Sequence, residues 1–130
     1  MFQRTSAVFV LVLVIALSGC ASSDRALVGE QAKIEAARDE LLVVWRGFGY
    51  YQEENDLSTY PETSAVNSQS DLIRALSPYL ALPSASETAW TFVSYERGAL
   101  NDWFELIATA GDKKETLISV TPVTVKLIDP

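Results

Sequence analysis

The spacing of apolar residues along the chain changes once, and this change limits the folds that the chain can adopt. Between Arg25 and Asn55 apolar residues recur every three or four positions, whereas from Trp90 onward they recur at every second position. Steps of three and four place side chains on one face of a helix, and alternation is typical of a strand. A long N-terminal helix followed by a run of strands predicts an α+β domain, with the helix packed on a C-terminal antiparallel sheet of three or four strands.

The predicted helix, Arg25–Asn55, carries one apolar stripe along its length. The stripe consists of Ile34, Ala37, Leu41, Val44, Phe48 and Tyr51. The opposite face carries Glu35, Asp39, Arg46 and Glu53. Gly47 and Gly49 oppose a helix, since each costs about 1 kcal/mol relative to alanine. Either the helix frays near Arg46 or the glycines admit a close neighbour. Because the stripe continues to Tyr51, we expect an intact helix.

A loop and a short helix are predicted between the long helix and the sheet. Polar residues interrupt every period over Leu57–Ser70. Ser70 or Asp71 can cap the helix that follows. Pro78 is expected to end that helix near Leu76, because proline cannot donate a helical hydrogen bond. The expected buried side consists of Leu72, Ile73, Leu76 and Leu80.

Four strands separated by turn residues are predicted at the C-terminal end. The first begins at Trp90, with Trp90 and Phe92 on one face and Tyr95 on the other. Glu96–Asp102 is interpreted as the connection that follows it. The later strands are predicted at Trp103–Ala110, Thr116–Thr121 and Val123–Ile128. Pro122 makes the last of them an edge strand, where a neighbouring proline is tolerated.

The composition excludes several classes of function. The 130 residues, enough for one domain, include 10 basic and 17 acidic residues, giving a net charge of −7. This acidic balance argues against nucleic acid, whose binding depends largely on Lys and Arg. The chain has no histidine, which excludes histidine triads, histidine metal ligands and histidine pH switches, and its one cysteine, Cys20, excludes an intrachain disulfide.

The first 20 residues combine a basic start with a short apolar run. Arg4 is followed by the unbroken apolar segment Ala7–Leu17. A membrane-crossing helix needs about 20 such residues, so the segment fits the core of a signal peptide better. The tetrapeptide Leu17-Ser18-Gly19-Cys20 resembles the lipobox of bacterial lipoproteins. An ordinary secretory leader and an uncleaved membrane anchor are the alternatives.

The lipobox resemblance implies cleavage between Gly19 and Cys20 and lipid on the Cys20 sulfur. Residues 1–19 would then be the signal peptide, residues 20–25 the lipidated cysteine with a short tether, and residues 26–130 the single domain. Two or three acyl chains hold a protein on a bilayer almost permanently. Use of the only cysteine in this way fits an oxidising compartment. Ala21, rather than an aspartate, follows the cysteine, and by resemblance to enterobacterial lipoprotein sorting this implies the outer membrane rather than the inner, with the body of the protein facing the periplasm.

Three stretches of the mature chain carry a further resemblance. They are Tyr50–Asn55 followed by Tyr60-Pro61, then Asp71–Leu80, and then Asn101–Ala108. Together they resemble the end of the spine helix, the short segment before the sheet and the central strand of type IV pilins and type II secretion pseudopilins. The resemblance implies a pilin-like fold.

The membrane end departs from that family. Pilins enter the membrane through an apolar helix that continues into the spine and carries a glutamate near its start. Here the apolar run precedes Cys20, and the prepilin cleavage pattern, that glutamate and the paired C-terminal cysteines of many pilins are missing. The resemblance therefore implies a domain that decorates a membrane through its lipid rather than a conventional filament subunit.

Few residues suggest chemistry. Glu53, Glu54 and Asp56 are the densest acidic group, but they lack the alternating ligands and glycine turn of a calcium loop, so we expect a solvated helix end and no metal. No catalytic serine motif or phosphate-binding glycine loop is present, and neither an enzyme nor a cofactor is expected. Most aromatic residues are expected in the core, whereas Trp103 and Tyr95 are the candidates for an exposed contact surface.

Two functions compete on this basis. The first is a non-enzymatic, lipid-anchored envelope protein that contacts another envelope protein, such as a component of a secretion or pilus system. The second is a lipoprotein that binds a small ligand, a glycan or peptidoglycan in an aromatic groove.

Overall fold

The computed structural model describes residues 2–55, 59–100 and 102–128, with side chains from residue 28 onward. Its helices are α1 (Phe2–Glu54), a 3₁₀ turn (Thr63–Ala65) and α2 (Gln69–Leu76). Its strands are β1 (Trp90–Arg97), β2 (Phe104–Ala110), β3 (Leu117–Val120) and β4 (Val125–Ile128). Residues 1–32 form one unit and residues 33–130 another, and the core between helix and sheet belongs entirely to the second.

The four strands form one antiparallel sheet in the order β1-β2-β3-β4. Each strand pairs with the next along the chain, so short turns connect them all. With α1 packed against this sheet, the α+β prediction is confirmed. Val125–Ile128 lies at the edge, as the neighbouring Pro122 predicts.

The apolar stripe of α1 forms the helical half of the core. Ala37, Leu41, Val44 and Phe48 are each at most 1% exposed. The Phe48 ring stacks on Phe104 of β2, with ring centroids 4.0 Å apart. The prediction of an amphipathic helix is therefore confirmed over the described side chains, and the helix remains intact through Glu54.

Gly47 explains why α1 tolerates a glycine inside a helix. A Cβ atom placed there would lie 2.8 Å from Leu80 Cδ2 and 3.2 Å from Leu76 Cδ1. The missing side chain thus allows the end of α2 and the residues after it to approach the back of α1. At Gly49 an added Cβ meets nothing within 4 Å, so that glycine has no such role.

Helix α2 begins earlier than predicted. Its cap is Ser68, not Ser70 or Asp71, and the Ser68 hydroxyl accepts a hydrogen bond from the Asp71 backbone N–H at 3.1 Å. Asp71 in turn accepts from the backbone N–H of Asn67 at 3.1 Å. The reason is the Ser-x-x-Asp spacing, which begins at Ser68 and resembles a capping box. The helix ends at Leu76, as Pro78 predicts.

A β-bulge corrects the predicted faces of β1. Trp90 and Phe92 lie opposite Ala110 and Ala108, but the register shifts between Phe92 and Ser94. A bulge adds one residue to a strand and reverses the alternation beyond it. Tyr95 consequently lies on the same face as Trp90, in the core, and not on the opposite face.

The outer edge of β1 is covered by side chains from the segment that precedes the sheet. The Gln69 amide accepts from the Phe92 backbone N–H at 3.2 Å and donates to the Trp90 carbonyl at 3.0 Å. Near the other end of the strand, the Thr63 hydroxyl accepts from the Arg97 backbone N–H at 2.9 Å. These three backbone groups of β1, which an edge strand would otherwise leave open, are thus satisfied within the domain.

Candidate functional site

The most exposed aromatic of the sheet region lies where β1 connects to β2. Trp103 immediately precedes β2, and its side chain is 45% exposed. The Gly98 backbone N–H donates to the Trp103 carbonyl at 2.7 Å. A Cβ atom at Gly98 would lie 3.1 Å from Trp103 Cβ. The backbone beneath the indole is therefore held in place while the ring itself faces solvent.

Two glutamates lie next to this indole. Glu96 of β1 and Glu105 of β2 are register partners on the face of the sheet turned away from α1, and both are exposed. Glu105 accepts a hydrogen bond from the Ser119 hydroxyl at 3.2 Å. Like charges directly opposite each other destabilise a sheet. Within the described residues, neither carboxylate forms an ion pair that would relieve this repulsion.

Glu96, Trp103 and Glu105, here called the acidic hairpin patch, line a cleft of about 240 Å³. Arg97 also borders the cleft, but its guanidinium donates to the Tyr60 carbonyl at 3.1 Å. Sequence reasoning missed the opposed glutamates because it assigned Glu96 to the connecting loop. Strand β1 in fact continues to Arg97. A prediction with a shorter turn between β1 and β2 would have placed Glu96 opposite Glu105.

Tyr95 does not join this patch. It is only 5% exposed, and its hydroxyl donates to the Pro61 carbonyl at 2.6 Å. Burial raises the pKa of the Tyr95 hydroxyl well above its ordinary value, although the charge of Arg97 acts in the opposite direction. The prediction that Tyr95 is exposed is wrong, because the bulge in β1 turns it toward Phe48. The contact role of Trp103 stays a prediction.

The three tryptophans lie in different surroundings. Trp90 is 2% exposed and belongs to the core, and Trp45 is half-buried with its indole N–H donating to the Pro122 carbonyl at 3.3 Å. Among them, Trp103 has the largest exposed fraction, 45%. The expectation that core packing accounts for most aromatic residues agrees with this distribution.

In the part of the chain that the structure describes, no group of three or more acidic or cysteine side chains could hold a metal ion. Glu53 and Glu54 are exposed at the end of α1, and Asp56 lies outside the described residues. Asp112, in the turn after β2, accepts from the Thr116 backbone N–H at 2.8 Å and from the Thr116 hydroxyl at 2.5 Å. Both of its carboxylate oxygens are therefore used to close the turn.

The hydrogen bonds at Asp112 also affect its ionisation. Burial alone would raise the pKa of the Asp112 carboxyl. The hydrogen bonds from Thr116, with smaller contributions from the Asp112 backbone N–H and the charge of Lys114, outweigh burial and lower the pKa below its ordinary value. The carboxylate form is thus the one that the fold selects.

The predicted cleavage site at Gly19 and Cys20 lies outside the residues whose side chains are described. Among the described residues, no helix combines the length and the apolar character needed to cross a membrane.

Comparison with known protein families, with curated proteins and with solved structures finds no match for this chain.

Proposed function

We propose that this protein is a non-enzymatic, lipid-anchored component of the bacterial cell envelope that contacts another envelope protein through the acidic hairpin patch. The observation that carries the contact is the pairing of Glu96 with Glu105 beside an exposed, backbone-fixed indole. The lipid anchor rests on the Leu17-Ser18-Gly19-Cys20 tetrapeptide.

The chemistry of the patch selects a cationic partner group. An Arg or Lys side chain placed against Trp103 would face the ring as a cation–π partner, an interaction of about 0.5–2 kcal/mol. The same group would neutralise the two carboxylates and remove their mutual repulsion, which adds charge-assisted hydrogen bonds. A basic segment of a protein partner therefore fits the patch better than a glycan, which carries no cation to offset the carboxylates.

The resemblance to pilins suggests which partner proteins to test first. Three of the residues that carry the resemblance, Asn55, Tyr79 and Pro61, take part in long-range hydrogen bonds within the domain. The Asn55 amide donates to the Tyr79 hydroxyl at 3.1 Å, and the Pro61 carbonyl accepts from Tyr95. Because the chain resembles pilins and pseudopilins at these positions, components of secretion or pilus systems are the first partners to test.

Site-specific photocrosslinking in intact cells tests the contact. A photoreactive residue replaces Trp103 in one variant and Tyr50 in a matched control, since both aromatic side chains are 45% exposed. We expect a discrete adduct with one envelope protein from position 103 and none from position 50. The adduct should weaken in Glu96→Gln and Glu105→Gln backgrounds. Equal adducts from both positions, or an adduct indifferent to both charge variants, would contradict the contact site.

The anchor is tested independently. Cys20→Ala should abolish labelling by radioactive palmitate and leave unprocessed precursor. Ser18→Ala keeps a small residue before the cysteine, so this variant should retain both the labelling and the cleavage of the precursor. Palmitate incorporation that continues in Cys20→Ala would refute the anchor without bearing on the acidic hairpin patch.

A further inference from the structure

The two outer strands of the sheet differ in what lies beside them. Side chains of Gln69 and Thr63 hydrogen-bond to the outer backbone groups of β1. Among the described residues, by contrast, β3 is the one strand that pairs with β4. An edge strand left in this state can pair with a further strand unless its length, its charge or a bulge opposes it.

The hydrogen bonds of the last hairpin show which residues of β4 point their backbone groups outward. The Thr121 backbone N–H donates to the Thr124 carbonyl at 2.9 Å, so these two residues form a hydrogen-bonded pair. Hydrogen-bonded and non-hydrogen-bonded pairs alternate along an antiparallel ladder. Lys126 therefore directs its backbone N–H and C=O toward β3, whereas Val125 and Leu127 direct theirs outward.

Lys126 opposes pairing of this edge with a second copy of the chain. Antiparallel pairing that uses the outward groups of both Val125 and Leu127 places Lys126 opposite its own counterpart. That central pair is non-hydrogen-bonded, the kind in which opposed side chains lie closest. Lys126 is exposed and forms no ion pair with the described residues, so two like charges would face each other and destabilise the sheet. A different chain with an acidic residue at the central position replaces this repulsion by attraction.

A groove of about 550 Å³ lies beside the C-terminal end of β4. Leu127 and Ile128 contribute to its apolar wall, and Lys114 and Glu115 border it. Ile128 lies on the same face of the sheet as Lys126, because faces alternate along a strand. In an added antiparallel strand, the residue opposite Ile128 is two positions before the residue opposite Lys126. Its side chain lies on the face that carries the groove.

We infer that the edge of β4 binds an extended segment of a protein partner, in which an apolar residue is followed two positions later by an acidic residue. The acidic side chain faces the Lys126 ammonium, and the apolar side chain lies against Ile128 at the groove. Backbone hydrogen bonds to Val125 and Leu127 supply affinity, and the two side chains supply specificity. This edge shares no residue with the acidic hairpin patch, so either contact can fail alone.

The test adds short peptides to the full chain in detergent micelles and follows the backbone amide resonances of the protein. One peptide is acetyl-Ser-Thr-Ile-Thr-Glu-Thr-Ser-amide, and the other carries Lys in place of Glu. We expect the glutamate peptide to shift the Val125 and Leu127 resonances and to bind about fivefold more tightly than the lysine peptide.

Three results of this titration would overturn the proposal. They are equal affinities of the two peptides, largest shifts in β1, and shifts of the Leu127 resonance when the protein is concentrated without peptide. The last result would show that a second copy of the chain pairs with this edge.

Methylation of single peptide nitrogens tests the register on the unmodified protein. The Thr between Ile and Glu lies opposite Leu127, where its N–H donates into the new ladder, so N-methylation there should abolish binding. The Glu of the peptide lies opposite Lys126 in a non-hydrogen-bonded pair, and its N–H points away from β4. The peptide methylated at that nitrogen should bind as before. Equal effects of the two methyl groups would overturn strand pairing in this register.

A charge reversal locates the group that selects the acidic residue. Lys126→Glu should reverse the preference, so that the lysine peptide binds about fivefold more tightly than the glutamate peptide. Arg46→Glu makes the same change of charge at an exposed position of α1 and should keep the original preference. An equal change of preference in both variants would show a general charge effect and overturn the site.

Discussion

The turns at the two ends of β2 use their acidic side chains in opposite ways. After Ala110 the chain turns through Asp112, both of whose carboxylate oxygens accept hydrogen bonds from Thr116. At the other end of β2, next to the turn from β1, Glu96 of β1 lies opposite Glu105 of β2, a pair of like charges with an exposed indole beside them. The first turn supplies hydrogen-bond donors for both oxygens of its own carboxylate. The second leaves two exposed carboxylates and a 45% exposed tryptophan at the surface of the domain.

The largest expected effect concerns the core beneath the acidic hairpin patch. Phe48 stacks on Phe104 and on Tyr95, so Phe48→Ala should lower the free energy of unfolding by about 3–5 kcal/mol, as for other buried aromatics. Urea denaturation followed by tryptophan fluorescence measures the loss. Tyr50→Ala, at an exposed position of the same helix, should stay within about 0.5 kcal/mol of the parent. A Phe48→Ala variant as stable as Tyr50→Ala would show that the patch does not rest on a packed core.

The self-contained turn should come next in size. Asp112→Ala leaves the Thr116 backbone N–H without its acceptor, so we expect a loss of about 1–3 kcal/mol at neutral pH. Asp39→Ala, at an exposed site, should change little and is the control. A negligible loss at Asp112 would erase the difference between the two turns.

The same turn predicts a pH dependence with a defined sign. Because the pKa of Asp112 is lower in the folded protein than in the unfolded chain, the unfolded chain binds more protons in this range. The contribution of the carboxylate is present above the ordinary aspartate pKa and disappears as the pH falls through the lower, folded value. The stability difference between the parent and Asp112→Asn should therefore shrink on acidification, which denaturation at a series of pH values measures. A difference that grows as the pH falls would contradict this sign.

The smallest expected effect has the opposite direction. Glu96→Gln removes one of two facing charges and should raise the free energy of unfolding by about 0.2–1 kcal/mol. The gain should fall in high salt, which already screens the repulsion between exposed charges. Glu87→Gln, an exposed carboxylate in a loop, should give no such gain. Destabilisation by Glu96→Gln would mean that this carboxylate has a structural role similar to that of Asp112.

Sequence periodicity predicted the structural features that depend on residues close to one another along the chain. The stripe from Ile34 to Phe48, the end of α2 before Pro78 and the edge position of β4 all follow from local rules. The bulge in β1 was not predictable, because one extra residue leaves no mark in the composition of Trp90–Arg97. The prediction that Tyr95 lies on the face opposite Trp90 is therefore wrong.

The candidate sites depended on contacts between distant residues, which a single sequence does not reveal. The sequence predicts an exposed aromatic at Trp103, but it also predicts a loop at Glu96, which lies in β1. Lys126 occupies an ordinary charged position in a strand, and only the register of β3 and β4 shows that the backbone groups on either side of it point outward. The role of such a side chain can be inferred only after its surroundings are known.

The Gln69 amide bond to the edge of β1 limits how the sheet can be extended. A side chain already takes the place that a fifth strand would occupy next to β1, while β4 at the far side has only β3 beside it in the described chain. An incoming peptide that extended the sheet would therefore pair with Val125–Ile128 and not with β1. Any assembly built by strand addition would advance from that side alone.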